Sequence, residues 1–202
     1  MRRPRFIAQQ SSHPKGLMGR AIARIMSRET SRLNDAALDL LDLRDDDRLL
    51  EVGIGHGRTV EKAAERLTNG YVAGIDVSAE MTRMAGRRNA DAIRDGRVDI
   101  RVGSSSHVEF PDDAFTKALA VHTIYFWEDP STDLAELRRV IRPEGRFVLG
   151  FTPSGASHAG HFPGDIYRFA SRDELVEMLA AAGFDVETEV PDAGAGALLS
   201  LR

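Results

Sequence analysis

The sequence predicts an α/β domain, with a largely parallel sheet covered by helices on both faces and an antiparallel pair of strands at its end. Three observations predict it. From Leu49 onward, short apolar runs alternate with segments of helical period, the pattern of strand–helix–strand crossovers. Two strand candidates close the chain with no helix between them, which suits an antiparallel hairpin. A glycine-rich stretch leaves the first of these strands and enters a helix, the place where open sheets bind ligands.

Taken in order, residues 1–16 read as loop or disorder, because Pro4 and Pro14 flank the polar stretch Gln9 to Ser12. Leu17, Ile22, Ile25 and Met26 then share a helical face, and a second helix covers Leu33 to Leu41, ahead of the acidic turn Asp45-Asp46-Asp47. Leu49 to Val52 is the first strand of the alternating part. Val60, Ala63, Ala64 and Leu67 follow at helical spacing until Asn69-Gly70 stops them. Tyr71 to Ile75 is a strand closed by Asp76, and Ser78 caps a helix carrying Met81, Met84 and Ala85. Val98 to Val102 and Ala118 to Ile124 are further strands. Asp129-Pro130 starts a helix with Leu134, Leu137 and Ile141 on its apolar face, ended by Pro143-Glu144-Gly145. After the strand Phe147 to Phe151, Ser171 and Glu174 form a capping box for a helix that runs through Leu179 and stops at Gly183. Strand candidates Phe184 to Val190 and Ala195 to Leu201 finish the chain, separated by Pro191 and Gly194.

Composition narrows the classes. The 202 residues fit one domain, and 42% hydrophobic with 29% charged residues is an ordinary globular mixture. Apolar runs such as Ala118 to Val121 fall far short of the roughly 20 residues of a membrane span. Cysteine is absent, which excludes a disulfide framework, a thiolate metal site and a cysteine nucleophile, and leaves a reducing cytoplasmic setting as the default expectation. Residues 1–33 carry eight basic side chains (Arg2, Arg3, Arg5, Lys15, Arg20, Arg24, Arg28, Arg32) against Glu29 alone, while the whole chain has a net charge of −4. The basic start reads as a solvated tail and helix face, with a nucleic-acid arm, peripheral contact to an anionic membrane or a targeting peptide as the other options. The acidic remainder disfavours nucleic-acid backbone binding.

The segment Leu49-Leu50-Glu51-Val52-Gly53-Ile54-Gly55-His56-Gly57 places glycines at alternate positions, so the backbone turns tightly and approaches a ligand without Cβ clashes. A dinucleotide fingerprint would put its third glycine at position 58, where Arg58 stands. Glu51 adds negative charge before the loop, which repels phosphate and suits a cation. Asp76, at the next strand end, offers two oxygens to the hydroxyls of a ribose. The ligand implied is a positively charged nucleoside without phosphates.

On these residues the chain resembles the class I S-adenosylmethionine-dependent methyltransferases, in particular the small-molecule, UbiE-like (methyltransferase type 11) group. Gly103-Ser104-Ser105-Ser106-His107-Val108-Glu109-Phe110-Pro111-Asp112-Asp113-Ala114-Phe115, Val121 to Trp127, and Arg142-Pro143-Glu144-Gly145-Arg146 carry the rest of the likeness, which runs from about Leu41 to the C-terminus. The resemblance implies a Rossmann-like, doubly wound, seven-stranded sheet whose last strand is antiparallel. It implies a division into an N-terminal basic segment with lid helices, residues 1–40, and an S-adenosylmethionine-binding domain, residues 41–202. It places Glu51 at the methionine amino group, Gly53, Gly55 and Gly57 along the cofactor, Asp76 on the ribose, and Val77 and Met81 beside the adenine. Ser104, Ser105 and Val121 complete the implied cofactor contacts. The family usually has an acid at the position of Ser104, and a serine hydroxyl accepts from the adenine amine more weakly than a carboxylate.

For chemistry, His122 is the candidate base and Tyr125 its neighbour. Tyr125, Phe126 and Trp127 either wall an apolar, aromatic or cationic acceptor or cover the sheet edge. His13 lies in the expected lid, and the loop Thr152 to Asp165 reads as a substrate flap. His158 and His161 have no acid beside them in the loop before Asp165, so no metal is expected. The stretch His122-Thr123-Ile124-Tyr125 lacks the Asn/Asp-Pro-Pro-Tyr pattern of amino-methylating DNA enzymes, which leaves a small organic acceptor methylated on O, N or C. A cofactor-binding protein without catalysis and an NAD(P)-dependent oxidoreductase are the alternatives.

Overall fold

A computed structural model describes residues 5–12, 16, 31–156, 159–190 and 196–202. The expected helix over Leu17 to Met26, His13, His158 and the turn at Pro191 to Gly194 lie outside those residues. The elements are α1 (Arg5–Ser12), α2 (described over 31–40), β1 (Arg48–Val52), α3 (Arg58–Arg66), β2 (Tyr71–Asp76), α4 (Ala79–Arg88), α5 (Ala90–Arg94), β3 (Val98–Val102), β4 (Phe115–Val121), α6 (Pro130–Val140), β5 (Ile141–Phe151), α7 (Arg172–Ala181), β6 (Val186–Val190) and β7 (Ala197–Leu201).

The seven strands form one sheet in the order β3-β2-β1-β4-β5-β7-β6. β1 to β5 run parallel, and β7 is antiparallel to both its neighbours. The closing hairpin therefore forms as expected, but its second strand is inserted between β5 and β6. Burial explains the choice. Every residue of β7 is buried, whereas β6 carries Glu187 and Glu189, charges that suit an edge strand.

Because both faces of the sheet are covered, alternate strand residues feed two separate cores. Leu50, Ala73, Ala118, Phe147 and Leu199 join Leu134 and Leu137 of α6 and Leu175 and Leu179 of α7. Their sequence neighbours Leu49, Val72, Leu119, Val148 and Leu198 join Leu38 of α2 and Val60, Ala63 and Ala64 of α3. Each buried leucine contributes about 1.5–3 kcal/mol, so the two faces hold the strand ends firmly in place. The end of α2 is tied down from beneath: Lys117 Nζ donates to Leu41 O at 2.9 Å and Arg146 Nη1 to Leu40 O at 3.4 Å, answering terminal carbonyls of the helix.

Several boundaries differ from the sequence reading. α1 forms where loop or disorder was expected, since Pro14 lies beyond its end. β4 begins at Phe115 because the polar Thr116 and Lys117 are strand residues, with Thr116 Oγ1 donating to Asp47 at 2.5 Å and accepting from Arg48 N at 3.0 Å. α6 ends at Val140 and Ile141 already pairs with Phe115, so Pro143 falls in strand β5, not at the helix end. α5 was not anticipated, as it buries none of its side chains. The predicted caps hold: Ser78 accepts from Met81 N, Asp129 from Ser131 N, and Ser171 with Glu174 forms the capping box.

Candidate cofactor site and active site

The strand order reverses between β1 and β4, which leaves a crevice at their carboxyl ends. The glycine loop lies there. Gly53, Gly55 and Gly57 all have positive φ, at 74°, 53° and 78°. Two of them also lack room for a side chain. A Cβ on Gly53 would stand 2.2 Å from Thr123 Cγ2, and one on Gly57 would stand 2.7 Å from Ala85 Cβ. At Gly55 the space is open, so a ligand can lie against the backbone there.

Glu51 is 4% exposed, and among the described residues its Oε2 is buried with no hydrogen-bond partner. Burial, and then the charge of Asp76, push its carboxyl up to about 8, against a smaller opposing bond from Thr59. A carboxyl raised in this way waits for a cation to replace its lost hydration. Asp76 is held differently: Oδ2 accepts from Gly55 N at 2.9 Å and Oδ1 from Ser78 N at 2.8 Å. The carboxylate is thereby locked to the loop.

Next to Asp76, Val77 is 50% exposed, whereas Met81 is 2% exposed and faces the interior. Val102 is 60% exposed and in register with Asp76, so it is the second open aliphatic side chain at this edge. Sequence reasoning missed Val102, since a valine ending a strand reads as core. Ser104 Oγ and Ser106 Oγ share a hydrogen bond at 2.8 Å, while Ser105 is buried and donates to Asp133 of α6.

At the end of β4, Val121 is partly buried and His122 takes a left-handed conformation, φ 58°. The turn lays Thr123 over Gly53. Thr123 was not singled out beforehand, and neither was Asn89, whose Nδ2 donates to Gly57 O at 3.1 Å and Ala85 O at 2.9 Å. His122 Nδ1 and Tyr125 Oη lie 2.9 Å apart, and Thr152 N donates to Tyr125 Oη. Tyr125 Oη therefore accepts from Thr152 and shares a second hydrogen bond with His122 Nδ1, whose donor is set by the imidazole tautomer. Burial holds the Tyr125 hydroxyl well above its usual range, so it keeps its proton.

Tyr125 and Trp127 are buried, at 3% and 7% exposed, and Phe126 packs on the same core. Of the two readings of this aromatic run, covering the sheet edge is the one observed. Tyr125 meets Tyr167 and Phe169 with ring centroids 6.0 and 4.7 Å apart, so the loop after β5 folds over the 3-10 turn Ile124–Phe126. α1 reaches that loop too, through an ion pair between Arg5 and Asp165.

Residues 50–149 match the methyltransferase domain family Methyltransf_11. The chain belongs to the class I S-adenosylmethionine-dependent methyltransferases. It is 29% identical to the 27-O-demethylrifamycin SV methyltransferase of Amycolatopsis mediterranei (strain S699) over 168 residues, 79% of this chain and 61% of that enzyme. It is also 29% identical to the ubiquinone/menaquinone biosynthesis C-methyltransferase UbiE of Geotalea daltonii, over 68% of this chain and 70% of that one. A crystal structure of an S-adenosylmethionine-dependent methyltransferase from Aquifex aeolicus superposes with a TM-score of 0.72 at 20% identity, covering 88% of this chain and 96% of that chain. The chain thus spans less than two thirds of the rifamycin enzyme. For a methyltransferase of this class the cofactor is S-adenosylmethionine, and the residues present fit it. The solvent-starved Glu51 carboxyl suits an ammonium, the open face of Gly55 suits a chain lying across it, and the anchored Asp76 suits vicinal hydroxyls. No helix among the described residues is long and apolar enough to cross a membrane.

Proposed function

We propose that this methyltransferase acts on a small organic acceptor, with Glu51 and Asp76 fixing the two ends of the methyl donor on either side of the glycine loop. The observation that carries this reading is the pair itself: one carboxyl buried with an oxygen lacking a partner, the other bonded to Gly55. When bound, S-adenosylmethionine supplies a methyl group on a sulfonium, already activated for displacement. The protein's part is alignment and exclusion of water. Glu51 gives up its proton and holds the ammonium. Asp76 accepts the ribose hydroxyls. Val77, Val102 and the Ser104–Ser105 backbone receive the adenine, while Met81 supports that edge from inside. Val121 and the Gly53 backbone border the methionine chain.

Tyr125 clamps His122, and in the tautomer with the proton on Nε2 His122 is a hydrogen-bond donor toward an electron-rich acceptor atom. Helix α1 and the loop after β5 close over the acceptor. An oxygen acceptor that reaches the site already ionised, such as a phenolate or enolate, fits this donor geometry directly, its proton having left to solvent; carbon and nitrogen acceptors remain within reach. Ser104 favours one second reading, a cofactor-binding protein without catalysis, because it weakens the adenine contact. The test is an S-adenosylhomocysteine release assay with hydroxylated aromatic and polyketide-like acceptors. Release that depends on acceptor supports methyl transfer, and tight cofactor binding with no release on any acceptor supports the second reading.

A further inference from the structure

One face of helix α6 grips the segment after β3. Asp133, Glu136 and Arg139 stand three residues apart and so share that face. Asp133 accepts from Ser105 Oγ. Glu136 Oε1 accepts from Val108 N at 2.8 Å. Arg139 donates to Val108 O and Phe110 O, both at 3.0 Å, and to Asp112 Oδ1 at 2.7 Å. Glu136 and Arg139 also bond each other, at 2.8 Å through both Nε and Nη2, which stiffens the clamp.

The clamp is unevenly built. From α6, Glu136 and Arg139 hold the far part of the segment by its backbone and Asp133 holds Ser105, while Gly103 N donates to Asp76 O at 3.1 Å where the segment leaves β3. Asp133 and Ser105 are 3% and 6% exposed, so their bond is shielded from water. Ser104 and Ser106 bond each other and reach no helix by those bonds. Burial, the largest influence on Asp133, raises its carboxyl despite the opposing bond from Ser105, consistent with a dry contact.

Resting on the reading that the Ser104–Ser105 backbone receives the adenine, we propose that Asp133 is a positioning residue for the cofactor. Acting through Ser105, it fixes the backbone that meets the base. Its effect falls on the base end of the ligand and not on the methionine end, which Glu51 holds.

The test is binding to the full chain by S-adenosylhomocysteine and by S-ribosylhomocysteine, which keeps the amino-acid end and lacks the base. Asp133→Ala and Ser105→Ala are expected to weaken S-adenosylhomocysteine about tenfold, the cost of one buried hydrogen bond, and to leave S-ribosylhomocysteine unchanged. Asp133→Asn still accepts from Ser105 and is expected to rescue the affinity to within about twofold. Equal affinity in the alanine variants, or equal losses for both ligands, overturns the proposal. If Asp133→Ala does not fold, Ser105→Ala decides alone. Failure of the unsubstituted chain to bind S-adenosylhomocysteine overturns the proposed function and this inference together; binding with no selective loss overturns the inference only.

Discussion

Asp76 Oδ2 accepts the amide of Gly55 at 2.9 Å, joining the end of β2 to the middle of the glycine loop 21 residues earlier in the chain. The acid that suits the ribose is therefore also a brace of the loop. Asp76→Ala leaves the Gly55 and Ser78 amides without their carboxylate, which costs about 2 kcal/mol of stability. Asp76→Asn keeps one oxygen as acceptor and should lose about half as much. Denaturant unfolding of the three proteins, followed by Trp127 fluorescence, checks the order.

Glu51 makes cofactor binding depend on pH. Its carboxyl is pushed up to about 8 by burial and by Asp76, from an ordinary value of 4.5. Without ligand, the folded state binds a proton there that the unfolded state has lost, so stability falls as pH rises from 4.5 to about 8. An ammonium requires the carboxylate, so the proton leaves on binding. Affinity for S-adenosylhomocysteine should rise with pH up to about 8, by at most about tenfold per unit, and then level off. Titration at pH 7 in buffers of different ionisation enthalpy should show proton release, and Glu51→Gln should abolish it.

Thr123 makes Gly53 obligatory. A Cβ at position 53 meets Thr123 Cγ2 at 2.2 Å, on a backbone with φ 74°. Gly53→Ala should cost about 2–4 kcal/mol from overpacking and the left-handed conformation together. In Gly53→Ala/Thr123→Ala the nearest remaining atom, Thr123 Cβ, is at 3.5 Å, so the packing part should return and the conformational part persist. Thermal unfolding of the single and double variants measures both.

His122 and Tyr125 separate a donor from a base. Tyr125→Phe removes the acceptor of the Thr152 amide and should cost about 1–3 kcal/mol of stability. If His122 donates through Nε2, His122→Gln retains most turnover, His122→Ala loses about tenfold, and kcat shows no titration near pH 6.5. Loss in both variants, with a rate that falls below that pH, would make it a base instead.

The sheet, the glycine loop and the Asp76 strand end were legible in the sequence because each rests on local pattern: alternating period, spaced glycines, an acid closing a strand. The caps at Ser78, Asp129 and Ser171 were legible for the same reason. What escaped depends on distant partners. The placement of β7 between β5 and β6 follows from its complete burial, which a five-residue apolar run does not specify. Thr123 matters through Gly53, Asn89 through Gly57 and Asp133 through Ser105, pairs far apart in the chain. Arg58, notable in the sequence only as a missing glycine, pairs with Asp35 of α2 through two bonds of 3.2 Å.

In the proposed function, the crevice between β1 and β4 holds S-adenosylmethionine through Glu51 and Asp76. Calorimetric titration of the full chain with S-adenosylhomocysteine and, separately, NADH checks this. The prediction is a Kd on the order of 1–100 μM for S-adenosylhomocysteine, lost in Asp76→Ala, and no heat with NADH. Binding of NADH without S-adenosylhomocysteine, or affinity for S-adenosylhomocysteine that survives Asp76→Ala unchanged, would contradict it.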